Sequence, residues 1–182
     1  MSDALTSLDG TYETIWRLLE DGAKSKTSAA SNLVLATASK AHGPSVRIVV
    51  LRDADQASEV LRIFTHAASR KVIDLNDNER AEILVWDPEQ QFQIRLSVSV
   101  RMSRIDDKTW ESLGTGTRLN YAIDPAPGTP IARPEIAQQA SPHQHQMLAL
   151  DARIRKIETL HISPDGLKRA VFENGTSQWI AP

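Results

Sequence analysis

Several basic residues in this sequence sit where a folded chain would not place them without a reason. Arg47 falls in the middle of an apolar run, Val46-Arg47-Ile48-Val49-Val50-Leu51. Burying an arginine costs several kcal/mol unless an anion meets it. Arg52 closes the same run. On a regular strand the two point to opposite faces, so they share a ligand only if the strand end twists or bulges. Otherwise Arg52 is a solvated charge at the end of a strand. Ser69-Arg70-Lys71 opens a short helical stretch directly after a strand-like run. The first turn of a helix carries unpaired N–H groups and the positive end of the dipole, and both attract phosphate. Two basic side chains at that end conflict with the dipole unless an anion neutralises them, or unless they pair with Asp74 or Asp77 or reach water. Phe64-Thr65 brings a ring edge and a hydroxyl just before the same turn, and Gln93 projects from the polar side of a long alternating segment. Together these residues predict an anion site of phosphate type.

The elements that must position them follow from periodicity. Tyr12, Ile15, Trp16, Leu19 and Ala23 recur at helical spacing, so residues 9–23 read as an amphipathic helix. Residues 32–38 and 45–51 read as strands joined by a turn at 40–44, where Gly43 and Pro44 interrupt the pattern. Residues 53–59 read as a polar loop and 60–65 as a third strand. Ser69 is the expected N-cap of a short helix through Val72, Ile73 and Leu75, ended by a turn at 76–79. Strands follow at 81–86 and 91–105. In the latter, Phe92, Ile94, Leu96, Val98 and Val100 alternate with polar residues, the cleanest period-two signal in the chain. A short helix at 108–113 leads into a Gly- and Pro-rich loop at 114–134. A helix is expected at about 142–151. The segments 154–160, 167–172 and 178–180 read as one or two more strands, with a turn at Ser163-Pro-Asp-Gly166 between them. The expected class is mainly β: five to seven antiparallel strands in a closed or nearly closed β-barrel with flanking helices.

Composition narrows the function. The chain has 182 residues, consistent with a single domain over 1–182: an N-terminal helix (1–28), a barrel core (31–105), loop and helices (106–152) and closing strands (153–182). A formal charge of -2 argues against bulk nucleic-acid binding. The absence of cysteine excludes disulfides, thiolate metal sites and a cysteine nucleophile. There is no signal-like N-terminus and no apolar run of membrane length, so a soluble, cytoplasmic protein is expected, with neither membrane nor nucleic acid among its partners. Other candidates are weaker. His143 and His145 make a poor metal site without further ligands, so no metal is expected. Asp106-Asp107 reads as a helix cap. Arg153, Arg155 and Lys156 read as outward strand positions. Gly114-Thr-Gly-Thr lacks the lysine of a nucleotide loop.

The ordered set Leu35-Ala-Thr, Gly43-Pro-Ser-Val-Arg47, Val49-Val50-Leu51-Arg52, Phe64-Thr65, Ser69-Arg70-Lys71 and Gln93-Ile-Arg resembles the pyridoxamine 5′-phosphate oxidase family, the FMN-binding split barrels. The resemblance is strong over 31–105 and weaker beyond. It implies an antiparallel split barrel that binds FMN, and a homodimer with the cofactor at the subunit interface. It also implies roles. Arg47, Ile48, Val49, Val50 and Leu51 would lie along the flavin, with Phe64 and Thr65 beside it. Ser69, Arg70 and Lys71 would meet the phosphate, and Gln93 and Arg169 would lie near the flavin. Arg52 and Arg118 would face the substrate. The resemblance fails on the substrate side. The family's Tyr and Ser are out of step around Leu113-Gly-Thr-Gly-Thr-Arg118, its late Arg-Leu-His motif reads Gly166-Leu167-Lys168, and its late tryptophan falls near Leu160. The expected function is therefore an FMN-dependent oxidoreductase acting on an unidentified small molecule, with no catalytic acid or base assigned. The alternatives are a non-catalytic FMN carrier or sensor, and a haem-binding relative of the barrel.

Overall fold

A computed structural model describes residues 4–138 and 141–182. A 3-10 turn at Ala4–Thr6 precedes helix α1 (Leu8–Lys24). Ser7 caps α1 by accepting from the Gly10 amide at 3.1 Å. The predicted stripe is the buried face of α1: Ile15, Trp16 and Leu19 are within 1% of full burial, and Tyr12 packs on the Phe172 ring. The chain then forms β1 (Asn32–Ser39), β2 (Gly43–Asp55), β3 (Val60–His66), α2 (Arg70–Asp77), β4 (Arg80–Asp87) and β5 (Phe92–Arg104). Two short helices, α3 (Asp107–Ser112) and α4 (Thr115–Leu119), precede β6 (Met147–Ser163), β7 (Gly166–Glu173) and β8 (Thr176–Ile180).

All pairings are antiparallel, in the order β3-β2-β1-β4-β5-β6-β7-β8, and β3 also pairs with β6. That last pairing closes six strands into a barrel and leaves β7 and β8 as an extension. The barrel removes its own edges, which is how an antiparallel sheet of this size avoids open pairing groups. The alternation read from β5 holds: Phe92, Ile94, Leu96, Val98 and Val100 are buried in the core. Residues from α1 and all strands from β1 to β7 contribute to the same core cluster.

Three expectations are corrected. Eight strands form, not five to seven. β2 runs on through Asp53 to Asp55, so most of the expected 53–59 loop is strand or tight turn. The segment expected as a helix at 142–151 is a 3-10 turn at Gln144–Gln146 followed by the start of β6. Met147, Leu148, Ala149 and Leu150 pair with β3 on one side, and Leu148 to Leu150 with β5 on the other. Two flanking ladders outweigh the modest helix propensity of such a run, and β6 becomes one strand of 17 residues. Among the described residues no helix is long and apolar enough to cross a membrane.

Two close arrangements hold the periphery. A Cβ at Gly22 of α1 would lie 2.6 Å from the Ala30 carbonyl oxygen, so only glycine permits α1 to approach this backbone. On the outer face of the sheet, Glu158 of β6 is nearly buried and binds Arg95 at 2.6 Å, Lys156 at 2.7 Å and Arg169 at 2.8 Å. These bonds, that of Arg95 foremost, hold its carboxyl down at about 2. A depressed carboxylate stabilises the fold above its unfolded value and loses that contribution as pH falls through its folded one. Unfolding by urea should therefore show Glu158→Gln less stable than wild type near neutral pH, with the gap closing between about pH 4.5 and about pH 2. Gly22→Ala should cost about 1–3 kcal/mol in the same assay, through overpacking against Ala30.

Candidate functional site

The site is assembled where α2 covers one end of the barrel. Arg47 pairs across the ladder with Leu35 and therefore shares the core-facing side of β1 and β2. Its side chain is 19% exposed. Nη1 donates to Thr37 Oγ1 at 2.7 Å and to the Leu35 carbonyl at 3.2 Å, and Nη2 donates to Ser45 Oγ at 2.8 Å. Its counter-ion is Asp74 of α2, 3.6 Å away and fully buried. Burial lowers the Arg47 pKa most, Asp74 offsets this in part, and neighbouring Arg70 lowers it further.

Ser69 is the N-cap of α2, as expected, but its hydroxyl does not cap the helix. It lies 3.1 Å from Thr65 Oγ1 instead, and Lys71 Nζ donates to both hydroxyls, at 3.0 Å to Thr65 and 3.3 Å to Ser69. The side chain that ordinarily satisfies first-turn amides is thus turned away from them. Lys71 has no carboxylate partner among the described residues. Burial, and then the charge of Arg47, lower its pKa. His66, ending β3, is pushed down by burial and by Lys71. Arg70 is half-exposed, 4.0 Å from Asp74 and 3.4 Å from the His42 carbonyl. Arg47, Arg70 and Lys71 thus bring three positive charges to one small region, with Asp74 as the carboxylate on which its ion pairs converge.

Other expected residues lie elsewhere. The register between β2 and β3 shifts between Leu51 and Asp53, so the strand has the irregularity at Arg52 that a shared site with Arg47 requires. Arg52 is half-buried and its Nε is enclosed without a hydrogen-bond partner. Ile48 and Val50 face outward and are 70% and 41% exposed, while Val49 and Leu51 enter the core. Phe64 faces outward under Tyr121, whose hydroxyl reaches the Phe64 carbonyl at 3.4 Å, and Trp110 and Leu113 join this second apolar cluster. Arg118 stacks over Trp110 at 5.0 Å and donates to the Glu111 carbonyl.

Gln93 and Arg169 are not with the phosphate-type cluster. Both lie on the outer face, linked through Leu160 of β6, and Gln93 is three strands from β2 in the sheet. At about 4.8 Å per strand, that is roughly 14 Å away, on the other side of the sheet. Arg169 is bound to Glu158. His143 and His145 stack on one another, and no group of three potential metal ligands occurs among the described residues. Asp106 caps α3 by accepting from the Thr109 amide at 2.7 Å, as expected. Sequence reasoning had offered Asp74 only as a neighbour for Arg70 and Lys71, and had given Thr37 no role. The only signal was a carboxylate in the buried stripe of a short amphipathic helix.

Comparison with known proteins agrees with this geometry. The profile of the family described as "Pyridoxamine 5′-phosphate oxidase, FMN-binding domain" matches residues 13–104, the stretch that holds Arg47, the α2 turn and Gln93. The pyridoxine/pyridoxamine 5′-phosphate oxidase of Bordetella pertussis is 30% identical over 69% of this chain, and the chain spans 59% of that protein's length. Pyridoxine/pyridoxamine 5′-phosphate oxidase 2 of Arabidopsis thaliana is also 30% identical, over 71% of this chain and 72% of its own. Among solved structures, a pyridoxamine 5′-phosphate oxidase-related, FMN-binding protein of Nostoc punctiforme superposes with a TM-score of 0.79 at 22% identity, over 97% of this chain and all of that one. PhzG of Burkholderia lata, in complex with tetrahydrophenazine-1-carboxylic acid, superposes with a TM-score of 0.77 at 18% identity, over 100% and 98%. These two likenesses establish the split-barrel fold. Profile and sequence identity together establish that the chain belongs to the pyridoxamine 5′-phosphate oxidase family through its FMN-binding domain, and that its cofactor is FMN.

Proposed function

We propose that this protein is an FMN-dependent oxidoreductase whose cofactor phosphate is held by Arg47, Thr65, Ser69, Arg70 and Lys71, and whose substrate is not pyridoxamine 5′-phosphate. The observation that carries the cofactor assignment is the excess of positive charge, partly buried, at the end of the barrel. Lys71 spends its proton donors on two hydroxyls and is destabilised as a cation by burial and by Arg47. A phosphate dianion placed beside α2 would satisfy the Lys71 and Arg70 side chains and the Arg70 and Lys71 amides together. The donor set therefore fits the group.

Bound FMN would supply acceptance of a hydride. The protein's part is position and access. Arg47 to Leu51 would run along the flavin, with Ile48 and Val50 facing out toward it. Phe64 would lie beside the ring, with Tyr121 fixing its backbone. Arg52, with an enclosed and unpartnered Nε, would stabilise negative charge on the substrate side.

Gln93 and Arg169 would complete the site only from a second copy, because within one chain they lie across the sheet from the phosphate cluster. Val46 and Ile48, 64% and 70% exposed, and Trp86 at 41% lie on this outer face, as an interface between two copies requires. Gln93 and Arg169 lie on the same face. A homodimer with one FMN at each end of its interface accounts for both facts.

The substrate half supports a departure from the phosphate-ester oxidases. Arg118 is committed to the Trp110 ring and the Glu111 carbonyl, and Gly166 and Lys168 stand where a second arginine and histidine would be needed. The same observation favours a second reading, a non-catalytic FMN carrier, which differs in having no substrate at all.

The purified protein should be yellow and release FMN on denaturation; a colourless protein that cannot be reconstituted refutes the assignment. Each charge-assisted hydrogen bond is worth about 1.5–3 kcal/mol, so Arg70→Ala with Lys71→Ala should weaken FMN binding by at least about a hundredfold. Ile48→Asp should leave the chain folded but shift it to a monomer in sedimentation, with loss of FMN. Oxygen uptake with pyridoxamine 5′-phosphate should be negligible, and a normal oxidase rate would overturn the substrate reading.

A further inference from the structure

Asp74 is the one part of the cation cluster that opposes an anion. Its carboxylate is fully buried, between Thr37, Arg47, Arg70 and His42. Only one of its oxygens is well served. Oδ2 accepts from Thr37 Oγ1 at 2.9 Å and lies 3.6 Å from Arg47. Among the described residues Oδ1 has no hydrogen-bond partner; it has Arg70 at 4.0 Å and His42 at 3.9 Å as distant ion-pair neighbours. A buried carboxylate oxygen left in this state is costly.

Asp74 is not needed to orient Arg47. Four other contacts already do that: two from Nη1, to Thr37 and the Leu35 carbonyl, one from Nη2 to Ser45, and the ladder that fixes its backbone opposite Leu35. What Asp74 alone supplies is negative charge. Without it Arg47, Arg70 and Lys71 would face one another across a poorly solvated space with no counter-ion among the described residues.

We infer that Asp74 is a built-in counter-ion that occupies the charge balance of the phosphate site when FMN is absent and competes with the cofactor phosphate when it arrives. It acts by its charge beside Arg47 and Arg70, and sets how readily the cofactor exchanges. The inference rests on the FMN assignment above. Its electrostatic content is simple: a like charge a few ångströms from a bound dianion, at limited screening, weakens the dianion's binding. Removing that charge should strengthen phosphate binding while making the cofactor-free protein less stable.

The test is Asp74→Asn, which keeps an oxygen for the Thr37 hydroxyl, titrated with FMN and with riboflavin, which lacks the phosphate. Flavin fluorescence gives both dissociation constants, and thermal unfolding gives the stability of the cofactor-free form. We expect FMN to bind the variant at least about fivefold more tightly, riboflavin within about twofold of wild type, and a lower melting temperature without cofactor. A merely structural role would weaken both flavins alike. FMN affinity unchanged or reduced in the variant, beside a wild type that binds FMN, overturns the role of Asp74 alone. A wild type that binds neither flavin removes the site assignment and this role with it. If the variant does not fold without cofactor, refolding with FMN should rescue it and refolding with riboflavin should not; failure of FMN to rescue it overturns the proposal.

Discussion

An arginine on the core side of a closed barrel is the constraint around which the rest of this structure is arranged. The β1–β2 ladder fixes Arg47 on the core side of the sheet, so its charge must be met there. The fold meets it with a threonine and a carbonyl of β1, a serine of its own strand, and a carboxylate from the one helix that covers that end of the barrel. Helix α2 in turn carries Arg70 and Lys71 on its first turn. One buried charge thereby recruits the helix, and the helix brings in two more. The result is stable only with a counter-ion. Asp74 provides one negative charge against three positive, and the deficit is what makes the region an anion site.

The alternation of β2 divides the work between two faces. Arg47, Val49 and Leu51 turn inward, two of them into the apolar core and the first into the polar cap. Ile48 and Val50 turn outward and remain open. A strand with one apolar face in the core and another apolar face exposed is an incomplete structure in water. The outer face that Ile48 shares with Gln93 and Arg169 is where the proposed dimer would seat its second copy. Glu158 stiffens this face by binding Arg95, Lys156 and Arg169 together, which fixes the Arg169 guanidinium rather than leaving it to sample solvent.

The cluster around Trp110 is organised differently from the end of the barrel under α2. Here the contacts are apolar and local: Phe64, Tyr121, Trp110 and Leu113 pack over β3 and the start of β6, and Arg118 lies on the tryptophan ring. Nothing in this cluster resembles a second phosphate cradle. The cofactor end depends on geometry that tolerates little change, because charges are buried there.

Much of this was legible in the residues alone, for a physical reason. Period-two alternation in 92–100, the helical stripe of Tyr12 to Leu19, and the conflict of Arg70 and Lys71 with a helix N-terminus are local facts, and local chemistry decides them. The ordered motifs from Leu35 to Gln93 were enough to name the family and FMN. Four matters were not local. Residues 147–150 carry a helix-compatible run, and only the ladders of β3 and β5 on either side make them a strand. The closure of the barrel through β3 and β6 joins segments some ninety residues apart and leaves no mark in either one. Asp74 reads as a surface partner for Arg70 until the fold places Arg47 and Thr37 against it. Gln93 and Arg169 read as residues near the flavin, and only the sheet order sets them on the face opposite the phosphate-type cluster. Sequence determined which residues could do chemistry and on which side of their own strand each would lie. Tertiary structure decided which of them meet, because pairing across the sheet depends on contacts that no single segment contains.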